Sequence, residues 1–102
     1  SRMPTRRFEL LVPIAYDDDL AAAKQAMLAL ALADPRVLAE PAPVVFVSAL
    51  TDTVVRIGMR VWCATADHLA LSWHLNEAAK LKLEAAGITI PAPPVAVTLN
   101  AP

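Results

Sequence analysis

Between Arg7 and Tyr16 the chain alternates: Phe8, Leu10, Val12, Ile14 and Tyr16 fall on one side, and Arg7, Glu9, Leu11, Pro13 and Ala15 on the other. A period of two residues predicts a strand. Pro13 has no backbone N–H to give to a ladder, so this strand is expected to carry a bulge or to lie at an edge. Asp17-Asp18-Asp19 follows, and then a run from Leu20 to Ala33 in which only Lys24 and Gln25 are polar. Ala and Leu favour helix, and an aspartate before them can cap the free N–H groups and suit the positive helix end. Asp34-Pro35 ends the element, because the residue before a proline is pushed out of the helical region. This helix is apolar on nearly every side, which predicts burial on more than one face.

The second half of the chain repeats the logic with clearer contrast. Pro41 and Pro43 mark a connection, Val44 to Leu50 reads as a strand, and Thr51-Asp52-Thr53 is a polar turn. The strand Val54 to Ala64 should return as a hairpin partner. On it Val55, Ile57, Met59, Val61 and Cys63 form one face, and Arg56, Gly58, Arg60 and Trp62 the other. A second helix is expected from Asp67, its N-cap, to Gly87, its C′ residue. Leu71, Leu75, Ala78, Ala79 and Leu83 share a stripe, while Glu77, Lys80 and Glu84 lie on the solvated side. The remainder, to Pro102, is punctuated by proline, with one alternating piece from Val95 to Leu99. The order predicts an α+β fold: a ferredoxin-like β-α-β-β-α sandwich with a C-terminal extended strand. By segment, residues 1–6 read as a junction to an upstream part, 7–90 as the α/β domain, and 91–102 as a Pro-rich tail with an oligomerisation strand.

Composition narrows the possibilities. The chain has 102 residues, 57% of them hydrophobic, and a net charge of −1. That profile excludes a disordered chain, and with a pI near 6.0 it speaks against a nucleic-acid binder. The mean hydropathy of +0.48 comes largely from 21 alanines and the Val-rich strands, and no uninterrupted apolar run is long enough to span a bilayer. No signal peptide is recognisable at the N-terminus. The single Cys63 cannot form an internal disulfide, which makes a reducing compartment the expectation. So much apolar surface on so small a domain points to subunit contacts.

The candidate chemistry is sparse. A phosphate-handling enzyme would want arginine and glycine after the first strand, where this chain has three aspartates. A metallochaperone needs a second cysteine, and a ligand-sensing module usually places a glycine at a strand–helix junction; only Gly58 and Gly87 exist. The aspartates lack the spaced ligands of a calcium loop and are better read as a helix start. His68 and His74 are six apart and do not share a helix face, so no metal site is expected, and Cys63 falls on the apolar side of its strand, where a thiol is inert. No catalytic residue and no cofactor is expected. Trp62 and Trp73 lie off the core stripes, which makes them candidates for contacts between subunits.

Set together, certain segments resemble the small-conductance mechanosensitive channel (MscS) family. They are Arg6-Arg7 through Val12-Pro13-Ile14-Ala15-Tyr16-Asp17, the Pro35-Arg36-Val37-Leu38 turn, Arg60-Val61-Trp62, Ala66-Asp67, and Glu84 through Gly87 to Pro91. Tyr16, Asp17, Arg60, Trp62, Asp67, Gly87 and Pro91 are the residues that carry the resemblance, which runs from about Arg6 to Leu99. It implies the C-terminal cytoplasmic α/β domain of such a channel, without the pore helices and middle β-domain. The family usually continues past Pro91 with an aromatic, a proline and a glutamine, whereas this chain has Ala92-Pro93-Pro94.

What the resemblance implies is a structural role. Family members are heptamers in the cell membrane whose pore opens under tension and releases solutes on hypo-osmotic shock, and their α/β domains enclose a cytoplasmic chamber. Their final strands form a small parallel barrel, which would give Val95, Val97 and Leu99 partners in other subunits. The expected partner is therefore further copies of the chain, with no nucleic acid and no membrane contact by this segment. The reading from a different class is a cytosolic ferredoxin-like regulatory module that binds a small molecule.

Overall fold

The computed structural model describes residues 3–91. Five regular elements follow in the order expected: β1 (Thr5–Ile14), α1 (Leu20–Ala33), β2 (Val44–Leu50), β3 (Val55–Ala64) and α2 (His68–Ala85), with a 3₁₀ turn at Thr65–Asp67 before α2. The strands form one antiparallel sheet in the order β1-β3-β2. Both helices pack on the same face of it, giving the two-layer α+β arrangement of a ferredoxin-like fold.

β1 sits earlier than its hydrophobic alternation predicts. It starts at Thr5, inside the stretch read as a junction, and stops at Ile14, so that Tyr16 lies in the following turn. The cause is the ladder: Thr5 pairs with Ala64 and Ile14 with Val55, so β1 runs the full length of β3. Pro13 lies opposite Arg56 on a strand at the edge of the described sheet, where a residue without an N–H is tolerated. The bulge falls instead in β2, between Val47 and Ala49, leaving Ser48 as the extra residue.

The helix ends show how local chemistry sets the frame. The Asp19 carboxylate accepts the Ala22 N–H at 3.1 Å and caps α1. Asp67 does not cap α2 in this way. The 3₁₀ turn puts its backbone in the helical region (φ −93°, ψ −7°) and its side chain bonds no helix N–H. At the far end Gly87 adopts φ +81°. Its N–H donates to Glu84 O and the Ile88 N–H donates to Leu83 O, the double closure of a Schellman motif. Leu83 and Ile88, the apolar pair of that motif, are both buried.

The core lies between sheet and helices. Leu10, Val12 and Ile14 of β1 and Val55, Ile57, Met59, Val61 and Cys63 of β3 meet Leu71, Leu75, Ala79 and Leu83 of α2, while Ala78 of the expected stripe is half-buried. α1 contributes Ala23, Ala26, Met27 and Ala31. These small residues let the helix lie close, but they make a single buried stripe. Among the described residues the expectation that α1 is buried on more than one face therefore fails: its Leu28 and Leu32 are exposed.

Candidate functional site

The loop between β1 and α1 gathers three elements at one end of the molecule. The Asp18 carboxylate accepts the N–H of Ala15 at 3.0 Å and that of Thr89 at 2.9 Å, while Ala15 N–H donates to Thr89 O. The Tyr16 hydroxyl donates to Thr51 O in the β2–β3 turn. Tyr16 is thus a tie between loops, and Asp18, which sequence reasoning left inside a general helix-start role, fastens the segment after α2 to the end of β1. Asp17 is exposed. Among the described residues no group of three His, Cys, Asp or Glu side chains could hold a metal ion.

A second cluster closes the other end of α1. Asp34 accepts from Arg36 Nε at 3.0 Å and from Arg36 Nη2 at 2.8 Å, and His74 Nε2 lies 3.9 Å from it. The paired hydrogen bonds from the Arg36 guanidinium hold the Asp34 carboxyl below the ordinary carboxylate range, against the opposing effect of its burial. Leu30, Ala33, Pro35 and these three side chains line an open depression of about 420 Å³. Its charged groups satisfy one another, which leaves little for a small ligand. The Asp-Pro-Arg spacing was visible in the sequence, but its pairing with a histidine 40 positions on was not. Nearby, Cys63 is a buried thiol whose Sγ contacts Arg6 O at 3.7 Å. Burial, with Asp67 adding, raises its pKa, so it is an inert core residue. His68 is half-buried with its ring edge-on to Phe8, 5.9 Å between centroids.

The face of the sheet away from the helices is open among the described residues. β3 presents Arg56, Gly58, Arg60 and Trp62 there, beside Arg7, Glu9, Leu11 and Pro13 of β1 and Val44 and Phe46 of β2. The Phe46 ring lies over Gly58, where a Cβ would meet it at 2.6 Å, and the Arg60 guanidinium stands 4.9 Å from the centre of that ring. Arg60 Nη2 is 3.6 Å from Glu9, and Arg60 Nε is buried with no hydrogen-bond partner among the described residues. The sequence placed Arg60 and Trp62 off the core. It did not show that Phe46 across the strand would join them.

Apolar surface is exposed elsewhere too. Leu32 on α1 is 68% exposed and Trp73 on α2 is 65% exposed, with Leu69 one turn before it. A shallow groove between α1 and β2 is lined by Lys24, Gln25, Leu28, Pro43, Val44 and Val45. Trp62 is half-buried, Gly87 forms the helix stop, and Pro91 ends the described chain. Val95, Val97 and Leu99, proposed from the sequence as an oligomer strand, lie outside the described residues. No helix among those residues is long and apolar enough to cross a membrane.

Comparison with known proteins bears on what these surfaces serve. A family model described as "Mechanosensitive ion channel MscS, C-terminal" matches residues 8–90. A small-conductance mechanosensitive channel of Edwardsiella ictaluri is 32% identical over 99 residues, covering 97% of this chain and 35% of the relative. An uncharacterized MscS family protein of Archaeoglobus fulgidus is 38% identical over 88 residues, 86% of this chain and 31% of the relative. Another from Synechocystis is 31% identical over 88% of this chain and 30% of the relative. The chain thus spans about a third of the length of these relatives. The closed-state crystal structure of Helicobacter pylori MscS superposes with a TM-score of 0.81 at 17% identity, over 97% of this chain and 40% of that one, which establishes likeness of fold.

Proposed function

The chain belongs to the MscS mechanosensitive channel family, as a domain of the C-terminal type, and from that premise we propose that it is a wall element of a cytoplasmic chamber below the pore. The family consists of channels that are oligomeric and are not enzymes. In the proposed role the domain is one of seven, each carried by a longer subunit whose preceding part spans the cell membrane, and the assembled channel releases solutes on hypo-osmotic shock. One observation carries this reading beyond family membership: the exposed apolar residues Leu28 and Leu32 on α1 and Leu69 and Trp73 on α2, on a domain whose core is complete without them.

Val95, Val97 and Leu99 would then pair with the same strand of neighbouring subunits, and Trp62 and Trp73 would help to seat one domain on the next. An extended segment satisfies few of its own backbone groups, and closing seven copies into a barrel would satisfy them and remove their edges. The test is Val97→Asp in the full-length protein. Weaker assembly with an unchanged melting temperature for this domain supports the reading, and an unfolded domain overturns the assignment of the tail to assembly. The small-molecule alternative finds no support in the depression at Asp34, because Arg36 already neutralises that carboxylate.

A further inference from the structure

The open face of the sheet carries unused binding capacity of one sign. Arg7, Arg56 and Arg60 stand on it against the single acid Glu9, although the whole chain has a net charge of −1. Its middle is apolar and low, because Gly58 lets the Phe46 ring and Leu11 close over the strand. Arg60 is held in place by the Phe46 ring and by Glu9, yet its buried Nε–H has no acceptor among the described residues. An amphipathic sheet is ordinarily covered by a second layer, and a buried donor left unpaired is costly. A covering surface that fits must be partly apolar and must bring an acceptor oxygen.

The same molecule has such a surface at the end where the β1–α1 loop meets the β2–β3 turn. Tyr16 ties the two loops together, and Asp17 and Asp52 are both exposed there. Asp18 is engaged internally and Asp19 caps α1, so Asp17 and Asp52 are the carboxylates free to reach outward. Two copies meeting by their sheet faces would oppose arginines with arginines. A copy that sets its acidic end on the next copy's sheet face pairs opposite charges instead. Such a head-to-tail contact is heterologous, and repeated with a closing rotation it builds a ring.

We propose that the open face of the sheet is a subunit contact, occupied by the Asp17 and Asp52 end of the neighbouring copy, one carboxylate of which accepts the Arg60 Nε–H. This rests on the reading of the chain as one subunit of a homo-oligomer, and it adds a contact independent of the tail strand. The contact is expected to weaken with added salt, since it joins charges near the surface.

The experiment is sedimentation equilibrium on the 102-residue chain and on a version ending at Pro91, in low and high salt, with a thermal melt of each variant to show that it is folded. The proposal expects both versions to self-associate, and Arg60→Glu or the double change Asp17→Arg with Asp52→Arg to weaken association at least about tenfold. Mixing the two variants should restore it, because each then meets an opposite charge. Arg60→Lys, which keeps the charge and removes the Nε–H, should fall between wild type and Arg60→Glu. Association that is lost with the tail and indifferent to the charge changes would overturn this contact while leaving the tail reading intact. Monomers in both versions, or mixed variants that fail to associate, would overturn it as well.

Discussion

The two faces of β3 are made by alternate residues of one strand and behave as different materials. Val55, Ile57, Met59, Val61 and Cys63 are all buried under the helices, and among the described residues no buried polar side chain interrupts the core they belong to. Arg56, Gly58, Arg60 and Trp62, each one residue away, stand on a face that nothing described here covers. The covered face holds the domain together through apolar contact, which any close-packed set of similar volume could supply. The open face adds less to the monomer, and its residues are chosen for the outside: a guanidinium on a ring, a glycine that makes room for that ring, and a tryptophan. On the contact proposed above, stability and association would fall to opposite sides of this strand.

The most damaging way to test that division is to cut into the covered face. Ile57 and Leu75 are both fully buried, so Ile57→Ala or Leu75→Ala is expected to cost about 2–5 kcal/mol, read from urea melts. A loss well under 1 kcal/mol for either would show that the helices are not packed as described. Next in size is Gly87→Ala, outside both faces. At φ +81° a Cβ is strained although space is open around it, and a cost of about 1 kcal/mol is expected in the same melts.

A pH-dependent effect follows from Asp34, which locks the end of α1 rather than either face of the sheet. Its folded pKa lies below the ordinary value of 3.8. The unfolded chain therefore takes up this proton first as pH falls. The contribution of the Asp34–Arg36 pair is fully present above the unfolded pKa and is lost as pH drops through the lower, folded one. Melting temperatures of the wild type and of Asp34→Asn should differ most near neutrality and converge below about pH 4. A difference that grew on acidification would contradict the pairing.

Much of this was legible from the chain itself. The bounds of α1 and β2, the buried side of β3 and the stripe of α2 all follow from hydrophobic period, and the glycine stop from the need for a positive φ. What could not be read depends on partners distant in sequence. β1 begins at Thr5 because Ala64 is there to pair with it, not because of its own alternation. Asp67 looked like a cap until the 3₁₀ turn placed its backbone in the helical region. Asp18 bonds a residue 71 positions away, and Arg60 finds Phe46 only through the β2–β3 register. The α1 helix shows the converse: its all-round apolar pattern was read correctly as unusual, but the described residues bury only one stripe of it.

The smallest expected effect is also the sharpest probe of the comparison, because it adds an atom directly to the open face. In Gly58→Ala the new Cβ would meet Phe46 Cε2 and Cζ at 2.6 Å and Leu11 Cδ2 at 3.0 Å. All three atoms are ends of side chains on the open face, where they can swing toward solvent. A similar insertion in the close-packed face would have no room and would cost about 1–3 kcal/mol. Here the gain from replacing glycine within a strand, about 0.5–1 kcal/mol, offsets much of the displacement. The net change in monomer stability should therefore stay within about 1 kcal/mol. The displaced Phe46 ring would no longer hold the Arg60 guanidinium, so the same substitution should weaken self-association in sedimentation runs. If Gly58→Ala instead destabilised the monomer as much as Ile57→Ala, the two faces of β3 would be equally packed and the division of labour between them would not exist.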